Sequence, residues 1–250
     1  MTAAGLAGRV VVITGASRGI GAELARAFAG AGAVLCLLAR NGEELGKVAA
    51  DLPVEVATRP CDVADEDQLR RSFADFADRF GRIDSVIANA GIAPASGRAE
   101  RLDPAVWRRI LEVNLTGTFL TAAAAHPYLR DSRRGRLVLT SSVIAQHPRR
   151  GVSAYCASKA GIEGLTRALA AEWASDGICV NALAPGFIGA GLGAAFAESP
   201  RLSEQVLSRT SLGRFGGASE LARAHLFLAS DDCSYMTGEV IHVTGGYGLG

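Results

Sequence analysis

The sequence contains no apolar run long enough to cross a membrane. Leaving glycine aside, its longest such run extends only from Ala33 to Ala39, whereas a spanning helix needs about 20 residues. The opening MTAAGLAGRV lacks the basic start and the long apolar stretch of a secretory signal. We therefore expect a cytoplasmic protein without a membrane segment.

Paired cysteines, clustered histidines and an excess of one charge are also missing. The 5 cysteines are scattered without a C-x-x-C pair, and the 4 histidines show no H-x-x-x-H spacing. We therefore expect free thiols and no metal site. Lysine plus arginine number 26 against 25 aspartate plus glutamate, a net charge of +1. Such a balanced chain offers no field to attract nucleic acid or an anionic membrane.

Glycine, by contrast, is abundant, with 30 in 250 residues, and short apolar runs alternate with helical patterns. Strands are predicted over 9–14, 33–39, 54–58, 83–88, 136–141, 178–183 and 239–243. These strands are continuously apolar, and strands and helices follow one another in turn along the chain. Both features are typical of an α/β fold. We predict a doubly wound parallel sheet of about seven strands, flanked by helices on both faces.

No stretch resembles a linker, so residues 1–250 are interpreted as one domain. One connection is unusually long, because residues 186–217 separate the sixth strand from the last helix. Connections of this length are usually lids or binding loops, and we expect a helical lid over a substrate site. The alternative is that residues 186–217 form a surface loop without a functional role.

The first strand leads directly into a glycine-rich turn and a helix. The spacing G-x-x-x-G-x-G lets the backbone approach a pyrophosphate at the helix N-terminus, although a simple turn is the alternative. The predicted phosphate-binding residues are Gly15, Ser17, Arg18, Gly19, Ile20 and Gly21.

The ends of the next strands indicate which dinucleotide binds. NAD(H) sites usually carry an acidic residue after the second strand, but Arg40 stands here. Because Arg40 and Arg18 could pair with a 2′-phosphate, we predict NADP(H) rather than NAD(H); two solvated arginines are the alternative. Asp62, followed by Val63, is placed to bind the adenine amino group, unless it only caps a helix or turn.

A tyrosine and a lysine one helical turn apart carry the predicted chemistry. Tyr155 and Lys159 share one helix face, and an adjacent ammonium lowers the pKa of a phenol. Tyr155 could then donate a proton to a carbonyl or remove one from an alcohol, while Lys159 could also hold the nicotinamide ribose. A packed tyrosine beside a surface lysine is the alternative.

Other polar residues fit the same site. Ser142 follows the fifth strand at its carboxyl end, where doubly wound sheets bind ligands, and could orient a substrate carbonyl. Asn114 lies in a predicted helix among apolar residues; since a buried Asn needs partners, one role open to it is to hold a relay water. Asn89, Ala90 and Gly91 end the fourth strand, where the backbone must pass close to the cofactor.

These motifs resemble those of a known superfamily. In order, the chain contains T-G-A-S-R-G-I-G, C-D-V, N-A-G, V-N-L-T-G, S-S-V, Y-C-A-S-K-A-G, V-N-A-L-A-P-G-F and T-G-E-V-I-H-V-T-G-G. Over essentially the whole chain they are similar to the short-chain dehydrogenase/reductases. The resemblance implies a Rossmann-like fold and a catalytic tetrad of Asn114, Ser142, Tyr155 and Lys159, with Tyr155 as general acid/base.

The resemblance also implies nicotinamide neighbours at Pro185, Gly186 and Ile188. A Thr that often follows them is replaced by Ala190, which removes one hydroxyl contact, about 1 kcal/mol. We therefore expect the segment around Ala190 to be mobile. The resemblance further implies a homo-oligomer, either a dimer or a tetramer.

Within the superfamily the chain resembles two groups. Similarity to 3-oxoacyl-carrier-protein reductases implies a thioester ketone substrate and an acyl carrier protein partner, for which Arg133, Arg134 and Arg136 offer a basic cluster. Asp176, at a position often basic in such reductases, weakens that interpretation.

The second group is the gluconate 5-dehydrogenase-like enzymes, and it implies a sugar-acid or polyol substrate. Such a substrate would need a cation near the pocket, and His147, Arg149 and Arg150 follow Ser142. A third alternative is a dinucleotide-binding sensor without catalysis, which the presence of all four tetrad residues disfavours.

Overall fold

The computed structural model describes residues 5–93 and 97–249 and contains a parallel sheet. Its strands are β1 (Val10–Thr14), β2 (Val34–Ala39), β3 (Val56–Pro60), β4 (Ser85–Ala88), β5 (Arg136–Thr140), β6 (Cys179–Pro185) and β7 (Val240–Val243). They lie in the order β3-β2-β1-β4-β5-β6-β7, and each neighbouring pair is parallel. The predicted doubly wound sheet is confirmed, and its order reverses between β1 and β4, where such sheets bind ligands.

Helices cover both faces of this sheet. They are α1 (Gly19–Gly30), α2 (Gly42–Ala50), α3 (Glu66–Phe80), α4 (Pro104–Leu111), α5 (Gly117–Asp131), α6 (Ser153–Trp173), α7 (Ala194–Glu198), α8 (Pro200–Leu207) and α9 (Ala218–Ala229). One apolar cluster joins the sheet to α1, α2 and α9, and another joins it to α3, α5 and α6. No helix within the described ranges is long and apolar enough to cross a membrane.

The edge strand β3 differs most from the sequence-based prediction. It was expected over 54–58 but forms over Val56–Pro60, where Ala39 of β2 pairs with Pro60. Proline lacks a backbone N–H and is tolerated at an edge, so the polar and proline residues at 59–60 did not end the strand. The central strands β1, β4 and β5 are buried throughout, as a sheet covered on both faces requires.

Residues 104–129, which the sequence predicts as one long helix or two abutting helices, form two helices joined by a π-helical turn. Residues Glu112–Thr116 form this turn between α4 and α5, and the turn contains Asn114. The Asn114 carbonyl accepts a hydrogen bond from the Thr118 hydroxyl at 2.7 Å. Such turns frequently occur at functional sites, and this one turns the Asn114 side chain toward the segment that follows β4.

His225 of α9 gives the fold a pH-dependent stability. Its side chain is fully buried, its Nδ1 lies 3.1 Å from the Leu221 carbonyl, and burial lowers its pKa to about 4. Below pH 6.5 the imidazole of His225 binds a proton in the unfolded chain, but in the folded chain it does so only below about pH 4. Stability is therefore fully present above pH 6.5 and falls as the pH drops through this window.

We expect His225→Leu to remove this pH dependence. Between pH 7 and pH 5 the wild type should lose about 2 kcal/mol of unfolding free energy through this histidine, and the variant should lose less by that amount. Urea denaturation at both pH values measures the difference, with the exposed His242→Leu as the matched control. An equal pH response in wild type and His225→Leu would contradict the assignment.

Candidate active site

A cavity of about 940 Å³ opens at the carboxyl ends of β1, β4, β5 and β6. It gathers residues that are far apart in the sequence. The predicted site residues that line it are Gly15, Ser17, Arg18, Gly19, Ile20, Gly21, Arg40, Asp62, Val63, Asn89, Ala90, Gly91, Ser142, Tyr155, Lys159, Pro185, Gly186 and Ile188. The remaining predicted residue, Asn114, lies behind this wall.

The glycine-rich loop forms a cradle that a side chain would fill. Gly15 and Gly19 have positive φ angles of 68° and 55°, which L-residues rarely adopt. A Cβ on Gly21 would lie 2.1 Å from the Gly15 carbonyl oxygen. The first turn of α1 has neither a side-chain cap nor an acidic residue, so its N–H groups fit a bound anion such as a pyrophosphate.

Thr14, which the sequence interpretation missed, joins this loop to the end of β4. Its hydroxyl oxygen accepts hydrogen bonds from the Asn89 and Ala90 amides, both at 3.0 Å, and its carbonyl accepts one from Asn89 Nδ2 at 3.1 Å. Asn89 therefore holds the two strand ends together. The only sequence signal for Thr14 is its place directly before the first glycine.

The far end of the cavity is basic on one side. Arg18 and Arg40 both line it, both are exposed, and neither pairs with an acidic side chain within residues 5–93 and 97–249. Asp62 has partners: its carboxylate accepts hydrogen bonds from the Ala64 amide at 3.1 Å and Arg109 Nη2 at 3.2 Å. Its turn role is thus present, while adenine binding stays a prediction.

Tyr155 and Lys159 reach the cavity from the first two turns of α6. The Lys159 ammonium is buried and donates to the Thr140 carbonyl at 2.7 Å. Its Nζ lies 5.8 Å from the centre of the Tyr155 ring. Ser142, which follows β5, accepts a hydrogen bond from the Ile144 amide at 3.2 Å. Its side chain acts to lower the pKa of the Tyr155 phenol.

Burial shifts the pKa values of Tyr155 and Lys159 in opposite directions. Burial raises the pKa of Tyr155, and Ser142 only partly opposes this. Burial also lowers the pKa of Lys159 to about 8. In the ligand-free chain burial therefore sets the direction of the Tyr155 pKa, and its lowering by Lys159 stays a prediction.

Asn114 organises the wall of the cavity. It is fully buried, its Oδ1 accepts from the Ile92 amide at 2.8 Å, and its Nδ2 donates to the Ile92 carbonyl at 2.9 Å and Ser158 Oγ at 3.1 Å. Ser158 in turn donates to the Tyr155 carbonyl at 2.7 Å. Asn114 thus ties the segment after β4 to α6, and its predicted relay water remains a prediction.

The segment after β6 packs against the glycine-rich loop. Ile188 forms a parallel bridge with Gly216, and a Cβ on Gly19 would lie 2.8 Å from Gly191 Cα. The Phe187 ring lies 5.2 Å from the Phe196 ring and 5.0 Å from the buried Tyr247 ring. Tyr247 therefore supports this side of the cavity, although no sequence motif singled it out.

The basic residues proposed for substrate or partner binding separate into two groups. Arg136 begins β5, at the amino-terminal ends of the strands and therefore away from the cavity. Its buried side chain donates to the Ser230 carbonyl at 3.1 Å. Arg134 pairs with Asp231 at the same end, so this cluster is largely committed to the fold. Arg149 and Arg150 line the cavity.

Comparison with known proteins gives matches over nearly the whole chain. The family model described as enoyl-(acyl carrier protein) reductase matches residues 15–248. The chain is 39% identical over 244 residues to the 3-oxoacyl-[acyl-carrier-protein] reductase FabG of Thermotoga maritima, covering 96% of this chain and 98% of that protein.

A second relative carries a different name, and a solved structure has the same fold. Galactitol 2-dehydrogenase (L-tagatose-forming) of Cereibacter sphaeroides is 39% identical over 246 residues, with 97% of this chain and 96% of that protein covered. A short-chain type dehydrogenase/reductase from Mycobacterium ulcerans superposes with a TM-score of 0.94 at 30% identity, covering 97% of this chain and 90% of that one.

The buried Lys159 should make the ligand-free protein less stable. Its pKa falls from 10.5 to about 8, so between these values the unfolded chain binds a proton that the folded chain does not. Stability is present above pH 10.5 and is lost as the pH falls to 8. Replacing the ammonium with an apolar chain of similar length avoids this penalty and leaves only the Thr140 carbonyl without its donor.

We expect Lys159→Met to raise the unfolding free energy at pH 7 by about 2 kcal/mol while removing activity. The chain's other lysine, the exposed Lys47, provides the matched control Lys47→Met, which should change stability by less than about 0.5 kcal/mol. Urea denaturation without ligand measures both. A loss of stability in Lys159→Met would show that its hydrogen bond outweighs its desolvation.

Proposed function

Because the chain belongs to the short-chain dehydrogenase/reductase superfamily, whose members act on CH–OH and C=O groups with a nicotinamide dinucleotide, we propose that it is an NADP(H)-dependent ketone reductase or alcohol dehydrogenase. The observation that carries the proposal is the joint presence of Tyr155, Lys159 and Ser142 in the cavity of the glycine-rich loop. The dinucleotide supplies or accepts the hydride when bound.

The chain's own residues fit that cofactor along the whole cavity. The uncapped start of α1 and the cradle at Gly21 suit the pyrophosphate. Arg18 and Arg40 suit a 2′-phosphate, since a guanidinium matches phosphate geometry and neither residue has an acidic partner among the described residues. Pro185, Gly186 and Ile188 form the wall proposed for the nicotinamide end.

Tyr155 is the proposed proton donor and acceptor. In ketone reduction its phenol gives a proton to the carbonyl oxygen, and in alcohol oxidation it removes one. Ser142 orients that oxygen, while Lys159 holds the ribose and favours the phenolate once its ammonium faces the bound cofactor. Asn114 acts as a positioning residue, because its hydrogen bonds join Ile92 to the helix that carries Tyr155.

Two substrate classes follow from the relatives' names and the cavity. One is a 3-oxoacyl thioester, as for the Thermotoga relative; the other is a sugar acid or polyol, in line with the galactitol 2-dehydrogenase. Arg149 in the cavity wall favours the acid of the second class. A segment of residues 186–217 acting as a lid would close over either.

Assembly into a homodimer or homotetramer belongs to the same proposal. Trp107 of α4 and Phe119 of α5 are 37% and 48% exposed. A two-fold contact between such helices would cover them.

We expect Tyr155→Phe to lower kcat on the order of 10²–10⁴-fold, the usual contribution of a general acid/base, with cofactor affinity nearly unchanged. Oxidation of NADPH with a ketone panel measures turnover, and quenching of protein fluorescence measures binding. Tyr235→Phe, at a fully exposed tyrosine, is the matched control. If wild type binds NADPH but reduces no substrate in the panel, the sensor alternative stands.

Arg40→Asp tests the choice of cofactor. A carboxylate would repel the 2′-phosphate, so kcat/KM for NADPH should fall about 10- to 100-fold, the effect of a charge-assisted hydrogen bond, and the NADH value should hold or rise. The matched control is Arg223→Asp, which makes the same charge change at an exposed residue of α9 that does not line the cavity. A wild type that prefers NADH contradicts the proposal.

A further inference from the structure

Arg149 places a cation in the cavity, and the proposed hydride and proton transfers give it no role. It lies in the connection between β5 and α6, is half-buried, and lines the same cavity as Ser142 and Tyr155. The proposed cofactor residues Arg18 and Arg40 belong to the glycine-rich loop and the end of β2, so Arg149 comes from a different part of the fold.

Two phenyl rings hold the Arg149 guanidinium. Its central carbon lies 4.9 Å from the centre of the Phe196 ring and 5.6 Å from that of Phe187. Its Nη2 also approaches Gln205 Oε1 of α8 at 3.5 Å, a long hydrogen bond. Contacts with aromatic rings attract a guanidinium but do not use up its N–H donors.

These contacts do not neutralise the charge. Within the described residues, 5–93 and 97–249, Arg149 forms no ion pair with a carboxylate, whereas Arg98 and Arg214 each pair with a nearby glutamate. A half-buried guanidinium without an acidic partner favours an anionic ligand. Of the two rings beside it, Phe187 directly follows Gly186 in the proposed nicotinamide wall, so the cation lies near the proposed reacting centre.

We propose that Arg149 binds the carboxylate of the substrate, and that the substrate is a small ketone or secondary alcohol bearing a carboxylate. The inference rests on the proposed function, because it concerns the same cavity. A single ordered guanidinium matches one carboxylate through two parallel N–H donors. A neutral thioester next to the ketone would leave this donor pair unused.

The kinetic test uses two ketones, 4-oxocyclohexanecarboxylate and its methyl ester, of which only the first carries a charge. Wild type should prefer the acid. Arg149→Met, which keeps an apolar chain against the rings, should lower kcat/KM for the acid about 10- to 100-fold, mainly through KM, and change the ester value by less than about 3-fold. Arg149→Lys should keep part of the acid preference.

The matched control is Arg201→Met, which removes the same charge from an exposed residue of α8 that does not line the cavity and should leave the acid-to-ester ratio unchanged. An acid-to-ester ratio that Arg149→Met does not alter would overturn the proposal and leave Arg149 as a packing residue. So would a wild type that prefers the ester.

A binding measurement separates this inference from the proposed function. Calorimetry would compare cyclohexanecarboxylate with cyclohexanecarboxamide, neither of which can react, in the presence of NADP⁺. Binding of the acid alone, lost in Arg149→Met but kept in Arg201→Met, supports the inference even if no ketone is reduced. Equal binding of acid and amide, or no binding of either, overturns it even if ketones are reduced.

Discussion

The burial of one ammonium beside one phenol is the constraint on which the site depends. Lys159 leaves water to reach the Thr140 carbonyl, and desolvation lowers its pKa to about 8. Tyr155 experiences the opposite shift, since burial disfavours its phenolate. The ligand-free protein therefore holds both groups closer to their neutral forms. A bound dinucleotide would bring the negative charge of its phosphates and, when oxidised, the positive charge of its nicotinamide. These charges would change both pKa values, so the chemistry depends on the cofactor.

The rest of the fold keeps this pair in place. Thr140 ends β5, and Asn114 connects the segment after β4 to Ser158 of α6. A regular helix over 104–129 would present Asn114 differently; the π-helical turn adds the residue that aims it. The hydrogen bonds of Asn114 thus join the segment after β4 to the helix that carries both groups.

Local patterns predict the fold well because burial on both faces leaves continuous apolar strands. All seven predicted strands form, with β3 shifted along the chain and at the edge of the sheet. The glycine-rich loop and the Tyr155–Lys159 spacing were also readable, because both depend on residues close in sequence. The sequence interpretation could not foresee the hydrogen bonds of Thr14, the packing of Tyr247 or the desolvation of Lys159, since each depends on residues distant in sequence.

The arginines illustrate this limit most clearly. Arg40, Arg136 and Arg149 look alike in the sequence, each near a strand or the connection after it. In the fold, Arg136 is buried at the amino-terminal end of β5, away from the cavity, and donates to the Ser230 carbonyl. Arg40 is exposed beside the glycine-rich loop, and Arg149 lies against a pair of phenyl rings. Partner and burial, rather than charge, therefore distinguish an arginine that supports the fold from one that can bind a ligand.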